Sequence, residues 1–440
     1  AFWDMVTLEE DVTDAGVTTE EALRAAVTSG DEVKLNGDID LTSTLEIHGT
    51  VTLDLNGHQL KQTGRVRVIK VHNGAEFTLN DSVGTGIVTG GSGGVNVEGS
   101  FIMNGGTITG NVAGFGGGVF LGWHTGSLIM YGGEISGNGA TGMGGGIFAC
   151  GSGSITIYGG TISGNFAGSV GSHSDETKGG GICSCVPINI YGGTISGNGK
   201  TGKVNSTEFS VVEYGGGIAL SDSAKLIMTA GEISDNHAKW GGGVTIGECG
   251  ATYEGGACET SDEELRFEMH GGKIVNNTAT ETGGGVHVDY CHVNEQWHVA
   301  GSFLMTDGEI SGNTAKDGGG VYVMRNAMFE MSGGTITGNS AKPTDGLHGG
   351  GGVYSAGSFT MSGGEITSNT ASESGGGVNI DSGAFIMKDG EISLNTALGN
   401  MGGGVAVWGA RDNPDTDIES FLRMEGGKIE KNRAKLWGGG

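Results

Sequence analysis

A chain of 440 residues with 94 glycines, 3 prolines and no strict triplet period is neither a collagen nor an ordinary α/β enzyme. Its formal charge of −27 argues against nucleic acid and anionic membranes as partners, because both are held by clustered Lys and Arg. No apolar run approaches the roughly 18 residues of a membrane helix. The opening AFWDMVTLEEDV also lacks the basic start of a signal peptide, so the chain reads as a mature or trimmed segment without membrane insertion.

Residues 1–31 read as an N-terminal cap. Its one helix is expected over 18–29 (TTEEALRAAVTS), with Thr18 and Glu21 in capping-box spacing and Leu23, Ala26 and Val27 on one face. From residue 32 to 440 the pattern is short and strand-like, irregular at first (VKLNGDIDL, TVTLDLNG, AEFTLND) and regular from Gly94. Eleven asparagines, Asn111, Asn138, Asn165, Asn198, Asn236, Asn277, Asn313, Asn339, Asn369, Asn395 and Asn432, recur at intervals of 26 to 41 residues. Such a period marks a solenoid.

Three short strands are expected in each coil. After each glycine run, words such as GGGVFL and GGGVYV place the first and third residues inward and the second outward. In ITIY, FEMH and FTMS the first and third positions are again apolar. In GGTISGN a single Ile points inward before the turn at Gly-Asn. Parallel, in-register stacking of these words describes an all-β, right-handed parallel β-helix of about 13 coils. The asparagines then form buried amide ladders between coils. The last coil stops at LWGGG, as if cut inside a repeat array.

The longer intervals hold insertions, at 166–178 and 199–214 after the asparagine, and at 247–265, 289–301 and 409–420 after the glycine-run strand. Insertions at matching points emerge on one side and are expected to raise walls beside the rod. Cysteines keep the same register: Cys150 and Cys185 stand alike on their coils, as do Cys249 and Cys291, so each pair forms either a disulfide or two stacked thiols, with Cys183 and Cys258 left over. Cys183 and Cys185 lack the CxxC spacing of a zinc site, and no metal site is expected. The acidic run 412–419 (DNPDTDIE) offers oxygen ligands to calcium but not the spacing of an EF-hand loop.

Two outward columns carry aromatic residues. One runs through Phe120, Phe148, His287, Tyr322 and Tyr354, the other through Tyr131, Tyr158 and Tyr191; both are candidates for a binding surface, for mutual stacking or for cover by loops. Tyr290, His292, Trp297 and His298 in the insertion at 289–301 make that region the strongest binding candidate. Asp222 and Glu248 share an outward position on adjacent coils, with Asp289 on the next. A spacing of about 5 Å suits the two carboxyl groups of a retaining glycosidase.

The alternation of GGG[VI] with I[ST]xN resembles the GGA[ILV] and FxxN repeats of the chlamydial polymorphic outer-membrane adhesins. It resembles more closely the repeat arrays of surface proteins in Gram-positive gut bacteria, which also open with words like those at Thr19 to Ala26 and Thr50 to His58. That resemblance implies an extracellular, adhesin-like module at the bacterial surface, displaying a lateral face to a glycan or a host protein. A carbohydrate-active enzyme using Asp222, Glu248 and Asp289 and a passive stalk are the alternatives. No NTD, GHG or RIK grouping of the pectin-degrading β-helix enzymes is present.

Overall fold

The computed structural model describes residues 16–30, 32–122, 125–168, 177–221, 224–247, 266–294, 297–343, 349–399, 401–409 and 420–439, with backbone only for 291–294 and 297–299. The chain is a parallel β-helix. Among the described residues, Leu45–Ile47, Ile69–Val71 and the strands that follow the glycine runs, as far as Val405–Trp408, stack into one sheet of 13, in line with the expected number of coils. At about 4.8 Å per coil the stack is on the order of 60 Å long.

The Phe/Met words and the single-Ile words share a second sheet of 24 strands rather than two separate faces. In four coils they run together as one bent strand, Arg266–Val275, Ser302–Ser311, Ser358–Thr367 and Ala384–Ser393. The bend is a glycine with positive φ. At Gly272 (φ 82°) a Cβ would meet the Cε of Met228 at 2.6 Å, so the methionine of the preceding coil fills the space a side chain would need.

A fourth strand per coil follows the asparagine, where period reasoning leaves loop. Val112–Ala113, Gly139–Ala140 and Phe166–Ala167 form a three-stranded sheet, and eight more, from Val212–Tyr214 to Arg433–Ala434, form another. Most are two residues long, too short for alternation to reveal them. The early coils, irregular in sequence, are regular in pairing: Glu32–Lys34, Thr50–Asp54, Glu76–Asn80 and Ser100–Met103 lie in parallel register in the large sheet.

Inward columns make one continuous core. Phe267, Phe303, Phe329, Phe359 and Phe385 are fully buried and stack ring on ring at centroid distances of 4.5 to 4.9 Å. The asparagine ladder is complete from Asn111 to Asn432. Each interior amide donates to the Oδ1 of the next asparagine and to an isoleucine carbonyl of the preceding coil, while its own Oδ1 accepts from the side chain and backbone of the asparagine before it. For Asn313 these bonds are all 2.8–3.0 Å. The residue before each asparagine has positive φ, even where it is not glycine, as at Leu394 (58°) and Ser368 (57°).

The helix spans Glu20–Ser29 and its N-cap is Thr19, whose Oγ1 accepts from the Ala22 amide at 3.2 Å, one residue later than the capping-box spacing suggests. Leu23 and Val27 are buried against the first coil. Arg24 locks the helix there by donating to the carbonyls of Ser43 and Thr44 at 2.7 and 2.9 Å. Among the described residues no helix is long and apolar enough to cross a membrane.

Candidate functional site

The column His287, Tyr322, Tyr354, a candidate for a binding surface, for mutual stacking or for cover by loops, is covered at His287 and Tyr354 and half-buried at Tyr322. His287 is 3% exposed and Tyr354 5%, and the same column continues through Thr245 and Asn379, both fully buried. The cover is the same coil's own chain. Residue i of the column lies beneath residue i−5: Thr282 Oγ1 is 2.8 Å from His287 Nδ1, and Thr245 Oγ1 donates to the Trp240 carbonyl at 3.0 Å. The first glycine of each run makes this possible. Gly318 has φ of 61°, and a Cβ there would meet the Cβ of Tyr322 at 2.9 Å. The alternation correctly tells which side of the strand each residue takes, but not that the chain doubles over that side.

Beneath the cover the rings of His287, Tyr322 and Tyr354 stack at 5.1 and 4.9 Å. His287 Nε2 lies 3.3 Å from Asp289, whose Oδ1 also accepts from the Tyr290 amide at 2.8 Å; Tyr354 donates to Asp381 at 2.8 Å. This network holds the fold. Burial, with the nearby carboxylates of Asp317, Asp289 and Asp381, raises the Tyr322 phenol well above its ordinary range. Burial likewise raises Tyr354, helped by Tyr322 and Asp381.

A pH dependence follows from those two phenols. Above about pH 10 the unfolded chain loses these protons while the folded chain keeps them, so stability present below pH 10 falls as pH rises. The slope is about 0.7 kcal/mol per pH unit for each tyrosine at pH 10 and approaches about 1.4 above it. Urea melts between pH 9 and 11 check this, and Tyr354→Phe is expected to remove about half of the slope.

Asp289 is 8% exposed, with its carboxylate against His287 and the Tyr290 amide. Asp222 and Glu248, its proposed companions, lie outside the described residues, as do Cys249, Cys258 and the acidic run 412–419. The insertion at 289–301 forms an antiparallel hairpin, Tyr290–Asn294 with Trp297–Ala300. Tyr290 is half-buried; the side chains of Cys291, His292, Trp297 and His298 lie outside the described set. Cys150 and Cys185 follow the paired Ala149 and Ser184 as the register requires, and both are thiols.

The insertion at 199–214 does not stand up as a wall. Its hairpin, Gly202–Val204 with Thr207–Phe209, lies down on the rod: Phe209 is 2% exposed and stacks on Phe166 at 5.7 Å, and Asn205 reaches back to the Gly110 carbonyl at 3.0 Å.

The other aromatic column does face solvent. Tyr131, Tyr158 and Tyr191 are 54%, 48% and 45% exposed and stack in parallel at 5.0 and 5.1 Å, between the two words of the large sheet. Register explains the strip: Met130 pairs with Ile157, and Ile157 with Ile190, so the residue after each is a tyrosine on three successive coils. Each ring plane lies across the rod axis. The ring faces are therefore turned to one another. Ile129, Thr156 and Asn189 flank the strip on one side, Glu134, Thr161 and Thr194 on the other. An open groove elsewhere on the large sheet is lined by Glu365, Asp389, Glu391 and Lys428 among glycines. No family model, curated protein or solved structure matches the chain.

Proposed function

We propose that the chain is an extracellular, adhesin-like display rod of a bacterial surface, presenting the tyrosine strip of its large sheet to a protein partner. The exposed stack of Tyr131, Tyr158 and Tyr191 carries this reading. Three rigid amphipathic side chains in a row, fixed by mutual stacking, lose little conformational freedom on contact and combine apolar area with hydroxyl groups. Glycan stacking is the weaker fit, because the middle ring has both faces covered by its neighbours and a sugar needs a bare face. The charge of −27 points to a partner with a neutral or basic contact surface.

The test is binding of the whole chain to immobilised host extracellular proteins and to a glycan array, alongside the triple variant Tyr131→Ala, Tyr158→Ala, Tyr191→Ala. At about 2 kcal/mol for the central tyrosine alone, the variant is expected to lose at least ~30-fold in protein affinity. Its melting is expected to change only by the ~0.5–1.5 kcal/mol that each stacked pair contributes. Unchanged protein binding by the variant removes the strip as the site. Binding to glycans alone replaces the partner class, and silence everywhere leaves a stalk.

A further inference from the structure

The first two coils carry a second cluster, far in sequence from the tyrosine strip. Glu46 alternates with the buried Leu45 and Ile47, and His48 follows in the same alternation, so both project outward. The next coil pairs in parallel register, Leu45 with Ile69, Glu46 with Lys70 and Ile47 with Val71. One residue further, that register sets His72 beside His48, with ring centroids 4.0 Å apart. His72 Nε2 lies 2.5 Å from Oε2 of Glu46. One carboxylate oxygen and one nitrogen of each imidazole fall within 4.8 Å of one another. Lys70, the register partner of Glu46, turns instead to Glu98 on the following coil at 3.1 Å and leaves the Glu46 carboxylate to the histidines.

We propose that Glu46, His48 and His72 form a binding site for a divalent transition-metal ion of the zinc type. Two imidazoles and a carboxylate are borderline donors that suit such an ion and not calcium or magnesium, which take oxygen ligands. Three protein ligands leave the fourth, tetrahedral position to water. The ligand backbones are fixed by strand pairing, and the side chains are accessible, with Glu46 42% and His72 28% exposed. Binding needs only rotation of these side chains, so that the stacked rings splay and their lone pairs converge at ~2.0–2.1 Å from the ion. Such an ion ties two neighbouring coils together beside the helical cap, where an end coil has a neighbour on one side only.

The experiment is a calorimetric Zn2+ titration of the whole chain beside His48→Ala, His72→Ala, the double variant and Glu46→Gln. One site per chain is expected, weakened by either single histidine change by more than the ~10–100-fold that removing an outer-shell partner costs, and abolished by the double. Co2+ in place of Zn2+ is expected to give visible d–d bands without thiolate charge transfer, which separates this site from the cysteines. Absence of saturable binding below millimolar Zn2+, or undiminished binding by the double variant, overturns the proposal. If the alanine double variant melts early, His48→Asn with His72→Asn keeps a polar surface and is read in the same way.

Discussion

Replacing Asn277 by alanine is expected to destabilise the centre of the rod by about 4–6 kcal/mol. Asn277 is fully buried, and its Oδ1 accepts from both the backbone and the side chain of Asn236 at 3.0 Å. Its Nδ2 donates to the Ile233 carbonyl at 2.9 Å and to Asn313 Oδ1 at 3.0 Å. Alanine keeps the backbone and strips four bonds, leaving two donors of Asn236 and the Ile233 carbonyl without partners where water does not reach. Each such group costs about 1–3 kcal/mol. A water entering the vacated amide volume recovers part of this, so Asn277→Leu, which fills the volume, is expected to be worse than Asn277→Ala. Asn432 is the control. It accepts the same pair of bonds from Asn395 at 2.9 and 3.0 Å but is only half-buried, so water replaces the lost acceptor and about 1 kcal/mol is expected. Because coils contact only their neighbours, the central change should split one urea transition into two blocks and open proteolysis near the cut. A single transition within about 0.5 kcal/mol of wild type would refute the ladder's energetic role.

The ladder was legible in the sequence because an amide buried at every turn has few other uses, and the recurrence gave its register. The same register carried the phenylalanine and methionine columns, the coil count and the neighbouring positions of Cys150 and Cys185. Register does not say what lies over an outward residue. Tyr322 and Tyr131 look alike in a column of outward positions. One is half-buried where its own coil folds at Gly318, and the other is 54% exposed beside the large sheet. Nor does the length of an insertion tell whether it rises or lies down; the burial of Phe209 against Phe166 decides that for 199–214. The Glu46, His48 and His72 cluster escaped notice because the early coils lack the Asn and glycine markers that align the rest. A ligand pair 24 residues apart also matches no local metal spacing.

Phe329→Ala probes the other ladder and is expected to cost about 4–5 kcal/mol, the upper part of the usual loss for a buried phenylalanine. Phe329 is fully buried and stacked on both sides, at 4.9 Å from Phe303 and 4.8 Å from Phe359, with interplanar angles of 7° and 5°. Both faces lose their partners at once, and strand pairing on either side keeps the coils from closing over the void. Phe101 offers the contrast. It occupies the same inward column and is equally buried, but has one aromatic partner, Phe77 at 5.5 Å, and pairs with Leu128 on the other side. Phe101→Ala is therefore expected to cost less than Phe329→Ala by the ~0.5–1.5 kcal/mol of one stacked pair. Phe329→Leu keeps most of the volume but forfeits both stacked pairs, and is expected to lose about 1–3 kcal/mol. The decisive measurement is the double-mutant cycle of Phe329→Ala with Phe359→Ala. A coupling of at least ~0.5 kcal/mol means that the rings hold adjacent coils to each other, whereas additivity means that each ring stabilises only its own coil by burial.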